Sequence, residues 1–181
     1  MSISGQMDIV KFPAISGPVI LRSNGIGNAI FGQPETTAIS NLDKMLGPPT
    51  IATPKPTTNC TVDAYLQFLG IVTYFDRETF VGYATGQANT GSAKGENKEI
   101  LNVITTKGLK IRDTLTQAKQ IYGSSLRTSA AQGGSSFIMT SNGKFAGYLS
   151  AEVNQPPTIS QIADITSDSV RCPAVPPLTQ A

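Results

Sequence analysis

The chain has 181 residues, 14 Lys and Arg, 12 Asp and Glu, a net charge of +2, and neither His nor Trp. A length like this makes one large or two small domains and buries about 70% of the unfolded surface, so folding requires neither a metal nor a second subunit. Without imidazole there is no Ser-His-Asp or Cys-His nucleophile system, and two Cys alone build no zinc tetrad. A net charge of +2 with no Lys/Arg cluster is too weak for a nucleic-acid footprint. The longest apolar stretches, such as 68–72, fall far short of the roughly 20 residues that span a bilayer. Charged residues are 14% of the chain, against about 25% in an average domain, and uncharged polar groups replace them, 20 Thr among them.

In chain order, Ser2–Pro13 reads as a tail able to add a strand, and Val19–Ser23 as a short strand before Asn24-Gly25. Gly25-Ile26-Gly27 begins like a dinucleotide fingerprint, but position 30 is Ile and no βαβ unit follows, so a turn is the better reading. The spacing predicts a helix over 34–46: Ile39, Leu42, Met45 and Leu46 share one face. Pro34 suits its first turn, Gly47 its end, and Pro48-Pro49 forbids continuation. A loop follows, with Cys60 near its end. A first hairpin then runs Gly70–Phe75, turns at Asp76-Arg77-Glu78 and returns through Thr79–Thr85. Residues 87–99 form a polar, Gly-rich loop, and Ile100–Thr105 a further strand. A second helix is expected over 113–122, with Thr114 and Gln117 as a capping box and Gly123 as its stop. A second hairpin follows, Phe137–Thr140 and Phe145–Ser150, turning at Asn142-Gly143, the type I′ signal. Thr158–Ile165 is a last strand, and the Pro-rich end an extended tail.

Two segments align without gaps. Gly32–Gly47 and Gly108–Gly123 both hold 16 residues between glycines, and Phe80-Val81-Gly82-Tyr83 echoes Phe145-Ala146-Gly147-Tyr148. The expected fold is therefore α+β by tandem duplication. Each copy has one helix followed by three to four antiparallel strands, and the copies form one extended sheet with both helices on one face. Residues 1–23 form the N-terminal tail, 24–107 and 108–172 the two copies, and 173–181 the C-terminal tail. Both faces of the hairpins are partly apolar, so pattern alone leaves the core face open; because glycine admits a close helix approach, the face with Phe80, Gly82, Phe145 and Gly147 is expected under the helices. Tyr83, Tyr148, Phe137 and Met139 then lie on the opposite, partner-binding face.

The residues Asn24-Gly25-Ile26-Gly27, Phe31-Gly32, Leu46-Gly47-Pro48-Pro49 and Phe80-Val81-Gly82-Tyr83 resemble those of uncharacterised exported actinobacterial proteins. The helix-then-sheet pattern is similar to the β-lactamase-inhibitor-protein fold and to the SmpA/OmlA lipoprotein group. The resemblance covers residues 24 to about 172. It implies a tandem helix-plus-sheet fold and a protein-binding rather than catalytic habit; no inhibitory loop residue carries over.

Other motifs have plainer readings. Ser141 to Lys144 matches S-x-x-K, yet Asn142-Gly143 makes a hairpin where acylase chemistry needs a helix start. Asn59-Cys60-Thr61 fits a glycosylation sequon. Residues 91–95 do not complete a phosphate-binding loop. The acids are scattered over turns and caps, without the facing carboxylates of a glycosidase. Cys60 and Cys172 are expected to form one disulfide, on the even count and the charge-poor, exported-looking composition; two buried thiols are the alternative.

The expected function is a secreted, non-catalytic protein-binding module, inhibitor-like in habit. The alternatives are a disulfide-stabilised cell-envelope component and, remotely, a hydrolase that dispenses with His. No cofactor, metal, nucleic acid or membrane span is expected. The partner protein and the oligomeric state are unspecified. The expected location is extracellular or the cell envelope, with any leader outside this sequence.

Overall fold

A computed structural model describes residues 17–49, 51–53, 61–68, 70–86, 102–131, 134–139, 145–150 and 154–165; within these, the side chains of 51–53, 86, 130–131, 134–139 and 165 are not described. The protein is α+β, with mostly antiparallel strands in two separate sheets. The first, four-stranded sheet holds β1 (Val19–Arg22), β2 (Gly25–Ile26), β3 (Ala29–Ile30) and β8 (Val103–Thr105), in the order β3-β2-β1-β8. The second, eight-stranded sheet holds β4 (Ile51–Thr53), β5 (Ala64–Phe68), β6 (Ile71–Asp76), β7 (Thr79–Gly86), β9 (Leu126–Ala131), β10 (Gly134–Met139), β11 (Phe145–Ser150) and β12 (Thr158–Ile165). Its order is β4-β5-β6-β7-β12-β11-β10-β9. Helix α1 spans Glu35–Leu46 and α2 Leu115–Tyr122.

This arrangement overturns the single extended sheet built from two helix-plus-sheet copies. The runs expected to close the two copies have different fates. Residues 103–105 leave for the four-stranded sheet and pair in parallel with β1, Val19 opposite Val103. Residues 158–165 instead become an inner strand of the large sheet, antiparallel to both β7 and β11. Local pattern marks both as strands, but strand partners are chosen by packing between distant segments, which a hydrophobic pattern does not encode.

The helices form where local chemistry favours them. Thr114 Oγ1 accepts from Gln117 N at 3.2 Å, and Gln117 Oε1 accepts from Thr114 N at 2.7 Å, a reciprocal capping box. Gly47 and Gly123 follow the helices with φ of 79° and 57°, backbone that costs a residue with Cβ about 1–2 kcal/mol. Helix α1 starts at Pro34 with no side-chain cap, and Glu35 N finds its acceptor in Glu78 O at 2.8 Å, across the β6–β7 turn. Gly32 N donating to Phe80 O and Phe80 N donating to Gln33 O continue this lacing, so α1 is anchored to β7 by backbone.

One hydrophobic core lies between the two sheets and the helices. It takes Leu21 and Ile26 from the small sheet, Ala38, Leu42 and Leu46 from α1, Ala118 and Tyr122 from α2, and Phe68, Phe75, Phe80, Tyr83, Phe145, Ile159 and Ile162 from the large sheet. Phe31 packs edge-on to Phe80 with ring centres 5.1 Å apart, and Phe75 lies 5.6 Å from Phe80. A smaller cluster on the large sheet's outer face joins Val62, Val72, Tyr74, Ala84 and Ala163, with Tyr65 and Val81 packed against it.

The strict alternation expected along the hairpins fails at a bulge in the first of them, and a second bulge lies between β11 and β12. Phe75 pairs with Phe80 but Tyr74 with Gly82, so Val81 is the extra residue on β7. Tyr148 pairs with Gln161 but Leu149 with Ile159, so Ser160 is the extra residue on β12. Each bulge resets the two-residue period. Phe80 and Tyr83 therefore both face the core, three positions apart, and Gly82 turns to the outer face opposite Tyr74.

Candidate functional site

Two places gather polar or amphipathic groups: the junction between the sheets, and the outer face of the large sheet. At the junction, Tyr83 on β7 is completely buried and its hydroxyl donates to Arg22 O of β1 at 2.9 Å. Opposite Tyr83 in register lies Asp164 of β12, which is 1% exposed. Burial, then the Asp164 charge and the nearby Tyr122, push the Tyr83 hydroxyl well above the usual tyrosine range. Tyr122 of α2 shares a 2.8 Å hydrogen bond with Thr105 Oγ1 of β8, and that oxygen also accepts from Leu109 N at 3.1 Å. Burial raises the Tyr122 hydroxyl, partly opposed by the Thr105 bond. Lys107 Nζ stands 5.0 Å over the Tyr122 ring. The two tyrosine hydroxyls are both taken up, that of Tyr83 by the Arg22 carbonyl and that of Tyr122 by Thr105. Their chemistry is that of fastening, one tyrosine tying the large sheet to β1 and the other tying α2 to β8.

This position corrects the placement of Tyr83 on a partner-binding face: the bulge at Val81 swings it inward, onto the side of Phe31 and Phe80. Phe137 and Met139 lie on β10, paired in register with Gly147 and Phe145, and their side chains are outside those described. Tyr148 keeps the outer face, half-buried, in register with Gln161. Cys60, Cys172, the Asn142-Gly143 turn, Ser141, Lys144 and Asn59 lie outside the described residues.

The outer face has a definite relief. Its centre is a floor of small residues, Gly82 and Ala84 on β7, Ala163 on β12 and Ala146 on β11, all buried. Ala84 pairs with Ala163, and Ala163 with Ala146, so three alanines stand in one row across three strands. On one side rise Val72, Tyr74 and half-buried Tyr65; on the other stands half-buried Tyr148. Four strand intervals separate Tyr65 on β5 from Tyr148 on β11, about 19 Å across the sheet. Burial, then the neighbouring Tyr65, hold the Tyr74 hydroxyl far above its ordinary value. Sequence reasoning missed Tyr65; its alternation with Leu66 was the available signal, and its pairing opposite Tyr74 is what places it here.

Among the described residues no group of three or more His, Cys, Asp or Glu could hold a metal ion, and no helix is long and apolar enough to cross a membrane. No protein-family model, curated protein or solved structure matches the chain.

Proposed function

We propose that the protein is a non-catalytic protein-binding module that acts outside the cytoplasm and meets its partner through the outer face of the large sheet. The carrying observation is the pair of half-buried tyrosines, Tyr65 and Tyr148, at either side of an apolar cluster with an alanine floor. A tyrosine in that position keeps a wet hydroxyl while offering a broad ring for burial, and such rings dominate binding energy at interfaces. The floor is already buried, so contact falls on the rim, Tyr65, Val81 and Tyr148. The charge-poor, Thr-rich composition supports an exported location.

The test is site-directed photo-cross-linking in the native source, with the probe at position 65, at position 148, or at exposed Lys119 on α2. The same discrete protein is expected at 65 and 148 and not at 119. With that partner purified, Tyr65→Ala with Tyr148→Ala should raise Kd at least tenfold in protein that still unfolds cooperatively above the assay temperature. A partner captured equally at 119, or an unchanged Kd, would overturn the proposal.

A further inference from the structure

Among the described residues, β9 is an outermost strand of the large sheet and pairs only with β10, six residues on six without a bulge. Arg127, Thr128 and Ser129 are all exposed. Successive side chains on a strand point to opposite faces, so neither face of β9 is covered there. The phase of its backbone is set at its start. Leu126 N donates to Gly123 O, outside the sheet, so Leu126 turns its polar groups away from β10. The alternation of an antiparallel ladder then turns Thr128 and Ala130 the same way and leaves Arg127 and Ser129 to bond β10. The edge lacks the usual guards of short length, proline and bulge. Other described edges are poorer templates: β4 has three residues, β3 has two, and β8 is met by the Ile104–Lys110 bridge.

We infer that β9 pairs with β9 of a second copy, antiparallel about a two-fold axis beside Thr128, so that two large sheets join edge to edge. The strand matches itself in this arrangement. Thr128 lies opposite its own equivalent, a favourable pair in sheets, while Arg127 lies opposite Ser129 and Leu126 opposite Ala130. The two Arg127 are diagonal neighbours about 7–8 Å apart, near the screening length at physiological salt. A parallel, in-register joint would set them side by side. About four backbone hydrogen bonds form, two between the Thr128 pair and one from each Ala130 N to the facing Leu126 O. Helix α2 reaches β9 at its Leu126 end, through Gly123–Ser125, so the two-fold puts the two copies of α2 at opposite ends of the joint. The contact is isologous and uses the long edge of both copies, so assembly stops at the dimer. It does not depend on the partner proposed for the outer face.

The test is sedimentation velocity of the full chain under reducing conditions, from micromolar to millimolar, with amide exchange read at both ends of that range. A monomer–dimer equilibrium is expected. With rising concentration the amides of Thr128 and Ala130 should slow at least tenfold more than those of Arg127 and Ser129. Thr128→Pro removes an outward donor and should leave monomer. Thr128→Lys puts two ammonium groups beside the axis and should raise the dimer Kd at least tenfold; Ser40→Lys, at an exposed position of α1, should not change it. Monomer at every concentration, assemblies larger than a dimer, unchanged dimerisation in Thr128→Lys, or concentration-dependent protection that bypasses Thr128 and Ala130 would each overturn the inference.

Discussion

Replacing Tyr83 with Phe removes one oxygen from a fully buried ring and leaves the packing against Phe31 and Phe80 intact. It deletes the 2.9 Å hydrogen bond to Arg22 O, the described side-chain link from β7 to β1. A net hydrogen bond contributes about 1 kcal/mol, and a carbonyl left with less satisfaction adds to the loss, so the expected cost near neutral pH is about 1–2 kcal/mol. For a chain of this size that lowers Tm by roughly 3–6 °C. The pH dependence separates this account from a generic packing loss. The unfolded tyrosine ionises near 10, whereas the folded hydroxyl is held well above that by burial and then by Asp164. Above pH 10 the unfolded chain sheds a proton that the folded chain keeps. Stability is therefore fully present below pH 10 and falls as pH climbs toward the raised folded value, by up to about 1.4 kcal/mol per pH unit. Phe has no proton to lose. The deficit of Tyr83→Phe should thus shrink by about 1 kcal/mol or more between pH 10 and about pH 11, as the parent weakens faster. Urea unfolding at a series of pH values measures both curves. A deficit that stays constant through the alkaline range would refute the assigned environment, and no deficit at neutral pH would refute the tie to Arg22.

Four further variants probe the backbone and its caps. Arg77 and Glu78 both have positive φ, 49° and 56°, in the two-residue β6–β7 turn, so Arg77→Asn with Glu78→Gly should stabilise by about 1–2 kcal/mol in chemical denaturation. A Cβ at Gly25 would meet Ala29 O at 2.1 Å, whereas at Gly32, φ 87°, it would meet open space. Gly25→Ala should cost about 2–4 kcal/mol and Gly32→Ala only about 1–2, and equal losses would remove the steric argument. Thr114→Ala should cost about 1 kcal/mol through loss of the α2 capping box, with amide exchange accelerating in the first turn of α2 before the strands.

Helices were the most legible elements, because their signals are local: a proline at one end of α1, Thr114 with Gln117 at α2, and a glycine past each end. The strands β6, β7, β11 and β12 also announce themselves by β-rich runs between turn residues. Partner choice was not legible. Nothing around Val103 says that it will lie parallel to Val19, and the short β2 and β3 read only as turns. The face assignment failed for a different reason. Val81 and Ser160 carry no bulge signature in their residue types, yet each shifts its strand by one residue and exchanges the faces beyond it. Tyr148 lies on β11, which carries no extra residue, and keeps its assigned side; Tyr83 follows the step at Val81 and does not.

The seam between β7 and β12 also shapes how the chain reaches this structure. Until residues 158–165 have been synthesised, the inner edge of β7 has no neighbour, and its Gly82–Gly86 backbone stands open to any extended segment nearby. The hairpins β6–β7 and β10–β11 can close early, since their contacts are local. The seam and the β1–β8 pair join segments distant along the chain, and such pairings are slow. Folding should therefore show a fast hairpin phase and a slow docking phase. During the interval between them, the open strand, free to pair with a second unfinished chain, is where this protein is most exposed to aggregation.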